Sequence, residues 1–191
     1  MDFSKAIDIL KKSGVMLEGH FLLTSGRHSN RYMQCARLFE YPEFSCIIAE
    51  DIADAFEEDD IDLVVGPAMG GVILAYEVAS QLGVRNLFAE RQDGRLELRR
   101  GFFIEPGSNV LVVEDVVTTG GSVMEVIDIV KQAGANVAGV GFVVDRSGGK
   151  VDFGCRKHAV VAMEVESWDA ADCPLCKQGS TAVKPGSRGL K

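Results

Sequence analysis

Histidine, tryptophan and basic charge are what this chain is short of. Of 191 residues three are His and one is Trp, and 20 Lys and Arg face 28 Asp and Glu, a formal net charge of −8. That balance argues against a large nucleic-acid footprint, which needs a basic surface. No stretch approaches the roughly 18 uncharged apolar residues of a spanning helix, so no membrane segment is expected. The start, MDFSKAIDILKKSG, mixes acids and bases along an amphipathic stripe and lacks the basic flank and apolar core of a signal peptide. The five cysteines are an odd number, and Cys35, Cys46 and Cys155 are scattered. They read as reduced thiols of a cytoplasmic protein rather than a disulfide frame. No G-x-x-x-x-G-K-[ST] loop occurs, and no dinucleotide fingerprint; Gly139-Val140-Gly141 is a lone G-x-G inside a strand, where packing explains it.

What is present is an ordinary globular composition, long enough to bury a core without staples. Apolar positions at Phe3, Ala6, Ile7, Ile9 and Leu10 predict a short helix, and Pro42 opens another through about Phe56. Residues 21–35 read as two short extended pieces around a polar turn. From there strands at 61–65, 86–90, 110–114, 136–144 and 158–165 are joined by helices at 70–82 and 121–133, ended by Gly83 and Gly134. Continuous apolar strands alternating with amphipathic helices predict an α/β fold, a parallel twisted sheet flanked by helices. The whole chain, 1–191, reads as one domain with its core sheet over 60–165 and an appendage from 1–40 and part of the C-terminal tail. The charged stretch 91–105 breaks the rhythm and reads as a mobile hairpin. The tail after Asp172 is expected to lie loosely over the surface.

Residues 110–122, VLVVEDVVTTGGS, carry the most chemistry. In an open parallel sheet, ligands bind beyond the carboxyl ends of the strands. Glu114-Asp115 sits at such an end. Neighbouring strand residues point to opposite faces, so both carboxylates can serve one ligand only if the chain curls there. Two carboxylates suit a vicinal diol, each accepting from one hydroxyl. The following turn, Thr118-Thr119-Gly120-Gly121-Ser122, opens a helix whose free N–H groups and positive end make a phosphate cradle. A diol beside a phosphate is a ribose 5-phosphate. Alternatively, Asp115 with Thr118 or Thr119 is only a helix cap, which leaves Glu114 unexplained.

Other segments add to this. Gly66-Pro67-Ala68-Met69-Gly70-Gly71 follows a strand and opens a helix, either a plain tight turn or a second phosphate loop. ERQDGRLELRRG (90–101) concentrates Arg91, Arg95, Arg99 and Arg100 among interleaved acids. Arg146 follows the strand at 136–144, which one helix joins to the strand at 110–114, so both end on one sheet edge. Its fork matches a carboxylate, unless it merely pairs with Asp145. His28 reads as a hydrogen-bonding turn residue, and Tyr32 as a base-stacking ring or a core residue. Cys173-Pro174-Leu175-Cys176 supplies two thiolates, short of the four ligands of a zinc site unless a partner subunit or Cys155 completes it, and no metal ligand is assigned.

VLVVEDVVTTGGS resembles the phosphoribosyl-pyrophosphate motif of the type I phosphoribosyltransferases, and among them that of the orotate phosphoribosyltransferases. FLLTSGRHSNRY (21–32), VVGPAMGGVILA (64–75) and VVDRSGG (143–149) are similar to further segments of that family, so the resemblance covers roughly residues 20–150. It implies the type I fold with a small N-terminal base-binding hood and a mobile loop. It also implies transfer of ribose 5-phosphate from phosphoribosyl pyrophosphate to orotate, with Mg2+ carried by the donor. By the same resemblance Glu114, Asp115, Val116, Val117, Thr118, Thr119, Gly120, Gly121 and Ser122 hold the donor. Thr118 and Arg146 meet orotate, and Arg91 and Arg95 act on the leaving group. A homodimer that shares the loop between subunits is implied too. The chain departs from the family pattern in having Thr24 and Gly70 where lysines are usual, and arginines without a histidine in the loop. Two other readings remain at this level: transfer to a purine or another base, and a non-catalytic regulator that senses the donor. The acidic balance and the lack of a basic aromatic platform speak against an RNA-binding regulator.

Overall fold

The fold is seen in a computed structural model that describes residues 1–23 and 25–185. Thr24 and residues 186–191, where two of the expectations above fall, lie outside the described residues. The chain begins with α1 (Phe3–Lys12), whose first turn is capped by the Asp2 carboxylate accepting from the Lys5 amide. An antiparallel hairpin follows, β1 (Met16–Leu22) and β2 (His28–Met33), and then a 3-10 turn over Cys35–Glu40. Next are α2 (Pro42–Ala55), β3 (Leu63–Pro67), α3 (Gly70–Leu82), β4 (Arg85–Gln92) and β5 (Arg95–Leu98). The order ends with β6 (Asn109–Val117), α4 (Gly121–Gln132), β7 (Asn136–Asp145), β8 (Lys157–Ala162) and a one-turn α5 (Pro174–Lys177).

The main sheet runs β5-β4-β3-β6-β7-β8 and is parallel except at β4–β5. It fills because both faces are covered. Ile48, Ile52, Phe56, Leu74 and Val78 of the α2–α3 layer cover one face; Val123, Val126, Ile127 and Val130 of α4 cover the other. Each such side chain removed from water contributes about 1.5–3 kcal/mol. This two-sided burial is why β3 and β6 read as unbroken apolar runs. The G-x-G of β7 is a packing feature as expected: a Cβ at Gly139 would overlap Phe56, and one at Gly141 would overlap Ile52.

The 91–105 stretch contains the expected hairpin: β4 and β5 pair around Asp93-Gly94, whose φ values of 49° and 89° are the left-handed pair that a tight two-residue turn requires. Two expectations change. The strand at 110–114 continues to Val117, because β7 goes on pairing with it through Val116↔Val144 and Val117↔Asp145. The tail after Asp172 is not loose as far as it is described. Cys173 is fully buried, and Val183 exchanges backbone hydrogen bonds with β1 through His20 and Leu22.

Candidate active site

Strand order creates the site. From β3 the chain passes through α3 to β4 on one side, whereas β6 lies on the other, so the topological switch falls between β3 and β6. Pairing between these two strands stops at Val65↔Val112. Beyond that point β6 is held by β7 alone, and a crevice opens that is bordered by the start of α3 and by residues 114–122.

Glu114 and Asp115 face each other in this crevice, although the strand does not curl as their adjacency suggested. Glu114 folds back instead, its Oε1 accepting from the Asp115 amide at 3.0 Å, and the two carboxyl groups lie within hydrogen-bonding reach of each other. Burial first, and after it the neighbouring Asp115 charge, push the Glu114 carboxyl up to about 9. Burial raises Asp115 as well. Two buried carboxylates side by side hold a proton until hydroxyl donors or positive charge arrive. Gly70, where the family usually has lysine, is the opposite wall: a Cβ there would overlap the Asp115 carboxylate.

Immediately beyond, Val116, Val117, Thr118, Thr119, Gly120, Gly121, Ser122 and Val123 line a small cavity with Glu114. Gly120 takes φ 77°, and a Cβ on it would run into Val151 and Phe153, so both conformation and space require glycine. The turn leaves the first amides of α4 facing the cavity, where an anion is favoured.

Arg146 stands beside the cradle. Its amide donates to the Val117 carbonyl at 2.8 Å, one residue before Thr118. Its Nε is buried with no hydrogen-bond partner among the described residues. The expected alternative, an ion pair with Asp145, is not formed: the Asp145 carboxylate instead accepts from the Ser147 amide and hydroxyl at 2.7 and 2.6 Å. A buried, unpaired guanidinium nitrogen costs free energy unless an acceptor arrives. Cys35 is a member of this site that sequence reading missed. It is buried near Asp115, Arg146 and Glu114; burial pushes its thiol far up, so it is inert packing rather than a nucleophile. No local signal marks it, since the 3-10 turn carrying it reaches the crevice only through the tertiary fold.

The arginines divide. Arg91 bonds Glu125 at 2.9 Å and the Gly94 carbonyl at 2.6 Å, and Glu125 also accepts from the Leu96 amide, fastening the hairpin to the start of α4. Arg100 pairs with Glu90 at 2.8 Å. The Arg95 side chain is exposed and makes no ion pair among the described residues. Tyr32 tilts against Phe21 with ring centroids 5.8 Å apart. His28 opens β2 and meets His20 rather than the crevice.

Residues 34–171 match the family described as Phosphoribosyl transferase domain. An orotate phosphoribosyltransferase from Thermotoga maritima is 59 % identical over 184 residues, 96 % of this chain and 98 % of that protein. One from Desulforamulus reducens is 54 % identical over 190 residues, with 100 % of both chains covered. Among solved structures, orotate phosphoribosyltransferase from Aeropyrum pernix aligns with a TM-score of 0.68 at 27 % identity, covering 82 % of this chain and 92 % of that one. Adenine phosphoribosyltransferase from Rhodothermus marinus shares the fold, with a TM-score of 0.67 at 20 % identity over 84 % of this chain and 99 % of that one. The resemblance first carried by VLVVEDVVTTGGS thus extends over the full length, and the chain belongs to the phosphoribosyltransferase family and, within it, to the orotate phosphoribosyltransferases.

Proposed function

We propose that the chain moves ribose 5-phosphate from 5-phosphoribosyl 1-pyrophosphate to a ring nitrogen of orotate, giving orotidine 5′-phosphate and pyrophosphate in pyrimidine (UMP) synthesis. The carrying observation is the backbone bond from Arg146 to Val117, which puts this residue next to the phosphate cradle, together with its buried Nε, which has no partner among the described residues. A carboxylate-bearing base on Arg146 then stands next to a ribose whose 5-phosphate lies in residues 118–122.

On this reading the ribose hydroxyls donate to Glu114 and Asp115, and Thr118 borders both phosphate and base. The ring nitrogen attacks C1 of the ribose as the C1–O bond to pyrophosphate breaks, and the nitrogen loses its proton. The sugar carbon gains positive charge during this step, and two preorganised carboxylates nearby stabilise it more than they stabilise the ground state. Residues 66–71 and the start of α3 face the pyrophosphate. The donor would bring its own Mg2+, which binds through phosphate oxygens and water and would offset charge on the pyrophosphate facing residues 66–71. The carboxylate pair is committed to the ribose and is asked for no metal.

Arg91 and Arg95 are assigned to the leaving group. Arg95 supports this by being exposed, and Arg91 by being held only by exposed contacts, the ion pair with Glu125 and the Gly94 carbonyl. Such pairs contribute about 0–1 kcal/mol and exchange readily for a phosphate. A homodimer sharing this hairpin between subunits fits the exposed apolar side chains of Met69, Ile73 and Tyr76 along α3 and of Phe103 beyond β5. Among the described residues no helix is long and apolar enough to cross a membrane. The five cysteines are free, in keeping with a cytoplasmic setting. Thermal protection tests the substrate. With donor and Mg2+ present, orotate should raise the melting temperature and hypoxanthine should not; protection by hypoxanthine alone would overturn the assignment.

A further inference from the structure

The cysteine pair in the tail does not stand alone. The β1–β2 hairpin brings His20 and His28 together, with Nε2 of the first 2.9 Å from Nδ1 of the second. Cys173 Sγ lies 3.4 Å from His20 Nε2, and Cys176 Sγ lies 3.3 Å from His28 Nδ1 and 3.9 Å from His20 Nε2. All four ligand atoms fall within 4.8 Å of one another. An ion bound tetrahedrally at about 2.0–2.3 Å sets its ligand atoms about 3.3–3.8 Å apart; both histidine–cysteine pairs at 3.3 and 3.4 Å fall in that span, while 2.9 and 3.9 Å lie just to either side of it.

We propose that His20, His28, Cys173 and Cys176 bind one Zn2+ and that this ion clamps the C-terminal segment to the β1–β2 hairpin. Four protein ligands of two nitrogens and two sulfurs select zinc over magnesium or calcium, which take oxygen. A full set of four leaves no open position, so the ion is structural. His20 Nδ1 is 3.1 Å from the Ser180 hydroxyl, the outer hydrogen bond that fixes the tautomer and turns Nε2 toward the cluster. His28 is pinned through its backbone, exchanging two hydrogen bonds of 2.8 Å with Trp168. Cys173 is fully buried and His20 nearly so. Cys155, the earlier candidate for completing the set, is not in the group.

The clamp borders the base side of the active site without entering it. Next to His28, the Ser29 hydroxyl donates to the Glu166 carbonyl at 2.7 Å, and Glu166 lines the same cavity as Arg146. Zinc therefore holds the hairpin and the segment after β8 in one arrangement.

Metal analysis of protein purified from zinc-supplemented cells, without a histidine tag, tests the proposal. About one zinc per chain is expected. Cys176→Ser and His28→Ala should each reduce zinc at least fivefold, while Cys46→Ser, at an exposed cysteine elsewhere, should keep it. If the variants fail to fold, wild-type protein stripped of metal and reloaded with Co2+ gives the second readout: visible bands of a tetrahedral cobalt site together with thiolate charge-transfer absorption. Chelation of the wild type should lower its melting temperature. Less than about one zinc per ten chains with no such cobalt spectrum would overturn the proposal. So would iron in place of zinc, or a Cys173–Cys176 disulfide in the freshly purified protein.

Discussion

Gly70 lies so close to Asp115 that a Cβ on the glycine would overlap both carboxylate oxygens. A residue from the first turn of α3 thereby fixes where a side chain from the end of β6 can stand. Displacing a binding group by about 1 Å at a reacting centre can lower the rate by about 100-fold. Gly70→Ala should lower kcat/KM for the donor by about 10- to 100-fold while circular dichroism stays unchanged. Initial rates at varied donor concentration check this, and an unaltered kcat/KM for the donor would contradict it.

Glu114 links the site to pH. Its carboxyl is pushed up to about 9, chiefly by burial, from an ordinary 4.5, so the fold keeps a proton that the unfolded chain has released. Stability contributed by this group is present at low pH and is lost as pH rises through that window. Glu114→Gln cannot ionise and escapes the loss. The variant should gain melting temperature over the wild type between about pH 5 and about pH 8.5 while losing most of its donor affinity. Scanning calorimetry across that range reads the difference. A gap that stays constant with pH would show that Glu114 ionises freely in the fold.

Arg146 should discriminate by charge. Losing a charged hydrogen-bond partner in an enclosed site costs about 2–5 kcal/mol. Arg146→Ala should then lower kcat/KM for orotate about 30-fold or more, at about 1.4 kcal/mol per factor of ten. Uracil, which lacks the carboxylate, should be used as poorly as before. Parallel losses for both bases would indicate damage to the fold.

The hairpin arginines call for kinetics and mixing together. Arg95→Ala and Arg91→Ala should lower kcat more than they raise KM for orotate. The exposed Arg91–Glu125 pair contributes too little for its loss to unfold the protein. In a shared-site dimer, mixing Arg95→Ala with Asp115→Asn subunits restores part of the activity. No recovery after verified subunit exchange would place each site within one chain.

Sequence carried the sheet well because a parallel strand buried on both faces has to be apolar throughout, as in Val110–Val113. It pointed to the cavity lined by Glu114 and residues 116–122 because they are nearly contiguous. It carried Arg146 because a strand–helix–strand unit brings both strand ends to one edge. It misjudged the end of β6 by following hydrophobicity, whereas the backbone pairs with β7 straight through the acidic residues. Cys35 and the role of Gly70 were invisible because each depends on contacts made only in the assembled fold. The tail was misread for the same reason: Cys173 and His20 are 153 positions apart, and neither carries a local sign of the other.

The most direct measurement is the ultraviolet absorbance of orotate after phosphoribosyl pyrophosphate and Mg2+ are added to the purified chain. The account predicts a fall that needs both additions, yields one pyrophosphate per orotate consumed, and is absent with Asp115→Asn at the same donor concentration. Unchanged orotate absorbance, with pyrophosphate released when adenine or hypoxanthine takes its place, would contradict it.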